Sequence, residues 1–288
     1  RNNEMKILVT GATGFIGSHL IRSLLNNNKN QIIATSRNIK KAETFDWFHK
    51  VKYFEYDLNN NSVIDLYNYF EEPNQLIHLA WDKVSDVKNL FHIEEELFYQ
   101  LKFIRNMIAG GLKEVIVTGS CFEYGMIEGG LNEDLDTKPS NSYGIAKDTL
   151  RKFIIELKEN FSFQYKWIRI FYVYGEGQSK TSLFNLLDKA IKNKDKQFNM
   201  SGGEQLRDYL YISELIKYMC LIADQNIYVD KIINCCSGNP RSVKDLVEEY
   251  LKDKDYNMSL NLGFYPYRDF EPMAFWGDRT NLENLLKL

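Results

Sequence analysis

What this chain is short of already narrows what it can do. It has four cysteines in 288 residues, Cys121, Cys220, Cys235 and Cys236. None has zinc-ligand spacing, and the adjacency of Cys235 and Cys236 disfavours an intrachain bridge between them. A reduced, cytoplasmic setting is therefore expected. Histidine is equally scarce at four residues; no pair has ligand spacing, so no metal is expected. No apolar run approaches the roughly 20 residues that span a bilayer, and the polar start "RNNE" lacks the order of a secretion signal. Positive charge is not in excess either, with 36 Lys and Arg against 39 Asp and Glu and a net charge of −3. That excludes a broad electrostatic pull toward nucleic acid or acidic membrane. Any anion must be held by a local site.

What is present is alternation. The apolar runs "KILVT" (6–10), "QIIATS" (31–36), "KYFEY" (52–56), "QLIHLA" (75–80) and "EVIVTG" (114–119) are separated by longer helix-like segments. Such a pattern implies βαβ units and a parallel sheet with helices on both faces. Apolar residues at 93, 97, 101, 104 and 108 form one helical stripe, expected to pack on the sheet just before "EVIVTG". After "KWIRIFYVYG" (166–175) the pattern loosens into a helix over 181–193, the extended piece "QFNMSG", and further helices and strands. The expected fold is α/β, a doubly wound parallel sheet of Rossmann type over residues 1–175. A smaller lobe over 176–288 is expected to be interleaved with the last sheet strands near 205–240. The Asn/Lys tracts at 26–30, 59–62 and 192–196 read as solvated loops.

"VTGATGFIGSHL" (9–20) follows the first strand and opens a helix. The spacing of Gly11, Gly14 and Gly17 is that of a dinucleotide turn, where glycines allow the backbone to approach a pyrophosphate. A helix starting near Phe15 then offers free N–H groups to the phosphates. Thr13, Phe15 and Ile16 complete the candidate cradle. No acidic residue stands between Gly17 and Glu43 to take the ribose hydroxyl; Ser36, Arg37 and Lys40 stand there instead. That favours NADP over NAD, the other reading of Arg37 being a solvated loop cation. Asp57 and Leu58 are expected over the adenine, and Leu79 and Ala80 over the pyrophosphate.

"SCFEYG" (120–125) ends a strand, and "SYGIAKDTL" (142–150) follows. Four apart on a helix, Tyr143 and Lys147 share a face. The ammonium is expected to lower the phenol, whose ordinary pKa is about 10, so that it can exchange a proton with a carbonyl or alcohol oxygen. Glu123 could face either way, capping a loop or touching a sugar hydroxyl.

Together "TGATGFIG", "HLAW", "TGSCFEYG", "YGIAK", "RIFYVYGEGQ", "GGEQLRDYLYISEL", "INCCSGNPRSVKDL" and "YRDFEPMAFWGD" cover nearly the whole chain. Their order resembles the extended short-chain dehydrogenase/reductase family, in its nucleotide-sugar epimerase/dehydratase/reductase branch. The resemblance implies that Ser120 hydrogen-bonds the sugar oxygen, Tyr143 is the general acid/base, and Lys147 binds the nicotinamide ribose. Tyr172 and Val173 would lie beside the nicotinamide. Arg207 and Arg268, with Glu271, would hold the substrate's pyrophosphate, a task suited to the planar guanidinium fork. Where many members carry an Asn that steadies the nicotinamide side, this chain has Glu95 or a neighbour.

Dehydratases of the branch follow their Ser/Thr with Asp-Glu; Cys121 and Phe122 stand there here, so elimination is not expected. Cys121 is expected to face away from Ser120's side as a small buried thiol. The resemblance then implies an NADPH-dependent reduction of the C4 keto group of a dTDP- or CDP-linked 6-deoxy-4-ketohexose, for surface polysaccharides such as lipopolysaccharide. The alternatives are a 4-epimerase with resident NAD and a non-catalytic dinucleotide sensor. Members often pair as homodimers through two helices per subunit, for which 93–109 and 142–159 are the candidates.

Overall fold

The computed structural model describes residues 5–26, 30–59, 64–225 and 230–287. The polar start at 1–4 and most of the tracts at 26–30 and 59–62 lie outside them. Seven parallel strands form the main sheet: β1 (Met5–Thr10), β2 (Asn30–Ser36), β3 (Lys52–Glu55), β4 (Gln75–His78), β5 (Glu114–Ser120), β6 (Gln164–Ile170) and β7 (Lys231–Cys235). Their order is β7-β6-β5-β4-β1-β2-β3, a Rossmann-like α/β sheet. The crossovers run through α1 (Phe15–Asn26), α2 (Leu97–Gly110), α3 (Ser142–Leu157) and α5 (Ile212–Asp224), while α4 (Leu183–Asn193), α6 (Val243–Asp253) and α7 (Thr280–Leu286) complete the helices used below.

Strands buried on both faces read as unbroken apolar runs, because each parity packs on a different helix layer. Ile7, Val9, Ile77, Ile116 and Ile168 face α1 and α5, where Leu20, Leu215 and Met219 are buried with them. Leu8, Leu76, Val115, Val117 and Trp167 face α2 and α3, against Ile104, Met107, Leu150 and Ile154. The order β4–β1 is the reversal point of the sheet, and ligands of open α/β folds bind outside the strand ends there.

The smaller lobe has its own core of Phe184, Leu187, Met200, Val243, Val247, Leu251 and Met258. The chain returns from it to the main core through α5, β7 and α7, whose Leu282 and Leu285 pack with Ile212 and Leu215. A short parallel pairing of Tyr209–Tyr211 with Tyr172–Tyr174 joins the two parts.

One departure from the expected stripe has a clear cause. The helix expected from residue 93 begins with a π turn, His92–Glu96, before α2 proper. The extra residue in that turn rotates what precedes it. His92 and Glu96 are buried, and Ile93 is at the surface.

Candidate active site

The cradle is built where β1 passes into α1. Gly11 has φ +66, and a Cβ there would lie 2.9 Å from Ala80 N; a Cβ on Gly17 would lie 2.2 Å from Gly11 O. Side chains at either place would force the turn away from β4 or from its own helix. The first turn of α1 carries no acidic residue, so its free N–H groups face outward uncompensated. Around this turn lies a cavity of about 380 Å³ lined by Gly11, Thr13, Gly14, Ser36, Arg37, Asp57, Leu58, Leu79 and Ala80. Lys41 lines it as well, and Lys40 does not. Phe15 and Ile16 are half-buried at the start of α1 and belong to its attachment to the main core.

The floor is fixed by a chain of hydrogen bonds. Thr10 Oγ1 pairs with His78 Nδ1 at 2.8 Å, and the other ring nitrogen pairs with Gln100 Oε1. Gln100 Nε2 donates to Ala80 O at 3.0 Å and Glu96 Oε1 at 2.8 Å, and Asp82 N donates to the same Glu96 oxygen at 3.1 Å. Burial lowers His78 to about 3 from an ordinary 6.5. The ring is therefore neutral, with Nδ1 accepting from Thr10 and Nε2–H donating to Gln100. At the ribose end Arg37 pairs with Asp82, and the Ser36 and Tyr53 hydroxyls share a hydrogen bond of 2.8 Å.

The Tyr–Lys pair comes from α3. Asn141 caps it, accepting from Gly144 N at 2.8 Å. A Cβ on Gly144 would lie 2.6 Å from Phe122 O, so the missing side chain lets this helix start abut the 3-10 turn Cys121–Glu123 at the end of β5. Ser120, Tyr143 and Lys147 are brought to one place, all at least nine-tenths buried. Lys147 Nζ donates to Thr118 O at 2.9 Å and sits 3.9 Å from the centroid of the Trp81 ring. Trp81 Nε1 donates to His92 Nδ1 at 3.1 Å, and His92 Nε2 donates to Asp86 O at 3.0 Å. The rings of Trp81, His92 and Phe122 stand edge-on around Tyr143, at 5.8, 5.3 and 6.4 Å.

The expected lowering of the phenol is reversed. Burial, then the charge of Glu123 and the neighbouring Cys121, raise Tyr143 above its ordinary value. The ammonium is 5.7 Å from the ring centroid and is committed to Thr118 O and Trp81. Burial in turn lowers Lys147 to about 7, against the pull of Glu123 and Glu96. At neutral pH Tyr143 is a phenol, a proton donor in waiting.

Glu123 is sealed at 0 % exposure, which corrects its candidacy for a sugar hydroxyl. Its carboxylate accepts from Ser120 N at 2.8 Å, from Trp167 Nε1 at 3.0 and 3.1 Å and from Arg169 Nε at 2.8 Å. No lone pair is left facing the cavities. Breaking such a buried pair by removing one partner costs about 3–5 kcal/mol. Cys121 is also buried, among Tyr124, Phe171, Cys236 and Phe275, and burial raises its thiol. All four cysteines are free, and no cluster of side chains among the described residues could hold a metal.

A second cavity, about 410 Å³, lies toward the small lobe and is lined by Arg207, Tyr209, Arg268 and Glu271 among others. Tyr172 and Val173, expected beside the nicotinamide, line this second cavity. Glu271 bridges the arginines, at 3.0 Å from Arg207 Nη2 and 2.9 Å from Arg268 Nη1. Its carboxylate is engaged by the cations, which leaves the three side chains one positive charge in excess. Tyr172, Ser182 and Gln205, three of the lining residues, each bury a polar side-chain atom that has no hydrogen-bond partner among the described residues. The Ser–Tyr–Lys group lies between the cavities: Trp81 of the first wall touches Tyr143 and Lys147, and Phe122 meets both Tyr143 and Tyr172 of the second, the latter at 6.5 Å.

Sequence reasoning did not single out Gln100 and Asp82, which line the first cavity together with Trp81 and Glu96. A signal existed, since His92, Glu96 and Gln100 recur every fourth place within an otherwise apolar helical stripe. The place assigned to Glu95 or a neighbour is Glu96; Glu95 is exposed.

The model of the NAD dependent epimerase/dehydratase family matches residues 7–236. The chain is 28% identical over 277 residues to dTDP-6-deoxy-L-talose 4-dehydrogenase (NAD(+)) of Aggregatibacter actinomycetemcomitans, covering 95% of this chain and 99% of that one. It is 27% identical over 261 residues to dTDP-4-dehydro-6-deoxyglucose reductase of Escherichia coli, covering 84% and 79%. The fold matches UDP-glucuronic acid 4-epimerase from Bacillus cereus, solved with UDP-glucuronic acid and NAD, at a TM-score of 0.84 with 24% identity, covering 98% and 93%.

Two outcomes follow from the floor. His78 is depressed in the fold, so the unfolded chain binds more protons between pH 6.5 and about 3, and stability present above 6.5 is lost as pH falls. In urea titrations His78→Asn is expected to flatten this acid slope. Gly17→Val should weaken dinucleotide binding at least about tenfold in calorimetry, because its side chain displaces the turn that faces the phosphates.

Proposed function

The chain belongs to the NAD dependent epimerase/dehydratase family, and from that membership we propose that it reduces the C4 keto group of a nucleotide-linked 6-deoxy-4-ketohexose with NADPH. The observation that carries this reading is the placement of Ser120, Tyr143 and Lys147 between a glycine-floored cavity and an arginine-lined one. The first suits a dinucleotide: its turn admits no Cβ at Gly11 or Gly17, and the helix start beside it favours phosphate. Residues 1–175 serve the dinucleotide, and 176–288 the nucleotide sugar.

Bound there, the dinucleotide supplies hydride to C4. Tyr143, a phenol at neutral pH whose ionisation burial further opposes, gives its proton to the C4 oxygen. Ser120 Oγ hydrogen-bonds that oxygen, and Lys147 ties the nicotinamide ribose to the Thr118 carbonyl side of the sheet. Arg207 and Arg268, presented by Glu271, receive the substrate's pyrophosphate. Cys121 and Phe122 offer no acid and base for loss of water. A dTDP- or CDP-linked substrate fits the relatives' names, and the product would enter a surface polysaccharide. Exposed Phe98 on α2 and Ile145 and Ile155 on α3 support pairing of these helices with a second copy of the chain.

The 4-epimerase reading has one observation in its favour. Asp82 pairs with Arg37 and competes with any 2′-phosphate for it. The purified protein should consume NADPH on dTDP- or CDP-4-keto-6-deoxyglucose; tightly retained NAD with no net consumption would promote the epimerase. Tyr143→Phe is expected to keep dinucleotide affinity while turnover drops about a hundred- to ten-thousand-fold. Arg37→Ala should raise the Kd for NADPH about tenfold and leave NADH nearly unaffected, measured by fluorescence titration.

A further inference from the structure

We propose that Glu123 is a positioning residue, whose carboxylate holds Ser120 in place against Tyr143; this rests on the role given to Ser120 above. Three donors from two strands converge on it, and a cation from a helix stands beside them. Ser120 N comes from the end of β5, Trp167 Nε1 and Arg169 Nε from β6, and Arg151 Nε from α3, at 3.7 Å. Tyr143, Lys147 and Arg151 recur every fourth residue, so the helix face that presents the phenol and the ammonium ends on this same carboxylate.

The local geometry is a reciprocal cap. Phe122 N donates to Ser120 Oγ at 3.2 Å while Ser120 N donates to Glu123 Oε1 at 2.8 Å. The first bond occupies a lone pair of the hydroxyl; the second fixes the backbone that carries it. Space is reserved for this arrangement, since a Cβ on Gly119 would lie 2.3 Å from Glu123 Oε1 and 2.1 Å from Trp167 Nε1.

Stability alone is a weak reason for the arrangement. Buried ion pairs are often no more stable than apolar packing of equal volume, and this one leaves Arg169 Nη1 and Nη2 without a hydrogen-bond acceptor among the described residues. What an apolar side chain could not supply is the acceptor for Ser120 N.

The test uses charge-balanced variants, so that no lone buried ion remains. E123Q/R169Q keeps an acceptor for Ser120 N; E123L/R169L removes it. With NADPH and dTDP-4-keto-6-deoxyglucose, the leucine pair is expected to show kcat about tenfold or more below the glutamine pair at equal dinucleotide affinity. In a Ser120→Ala background the two pairs should agree within about twofold. Amide exchange at Ser120, read by mass spectrometry or NMR, should accelerate in the leucine pair alone. Equal kcat in two folded pairs, or a difference that survives in Ser120→Ala, overturns the proposal. If Ser120→Ala turns over normally, or the probe sugar does not react, the functional reading has failed instead. The exchange rate then decides positioning by itself: faster exchange in the leucine pair supports it, and unchanged exchange overturns it.

Discussion

Backbone brought against backbone, with no Cβ between, is the constraint on which the rest of this structure depends. At Gly11 the first turn closes on the ends of β4, and at Gly17 the helix closes on the turn. At Gly144 the start of α3 closes on the turn after β5. The first two contacts make the anion cradle, and the third brings Tyr143 to the strand that ends in Ser120. Packing of the sheet layers fixes where these segments run, and the glycines set how closely they meet.

Electrostatics then decides what the assembled groups can do. A buried phenol resists ionisation and a buried amine resists protonation, so Tyr143 and Lys147 are pushed in opposite directions by one cause. Glu123 and Glu96 moderate the loss of charge on Lys147. The pair thus meets a ligand as a neutral acid beside a lysine close to its own titration point. Arg207 and Arg268 are handled otherwise, their charges bridged by Glu271 at the wall of the second cavity.

The sheet could be read from the chain because β1, β2, β4 and β5 are buried on both faces and appear as uninterrupted apolar runs. The cradle could be read because its glycines keep a fixed spacing. Where reading failed, a period had changed or depth was needed. Ile93 left its stripe because a π turn adds a residue. Glu123 could not be assigned a face because the chain leaves the strand for a 3-10 turn after Ser120, where alternation no longer applies. The shift of the Tyr143 phenol came out with the wrong sign because spacing shows a nearby lysine and does not show desolvation.

The small lobe is entered and left more than once. Its core comes from residues near 183–200 and 243–260, while α5, β7 and α7 between and after them lie in the main core. Its two stretches are thus separate insertions in a continuous scaffold. Change in either stretch can remodel the arginine-lined wall while the order of the seven strands stays fixed. A single dinucleotide platform can in this way be paired with many sugars, each new pairing needing only local rewriting of the inserted segments.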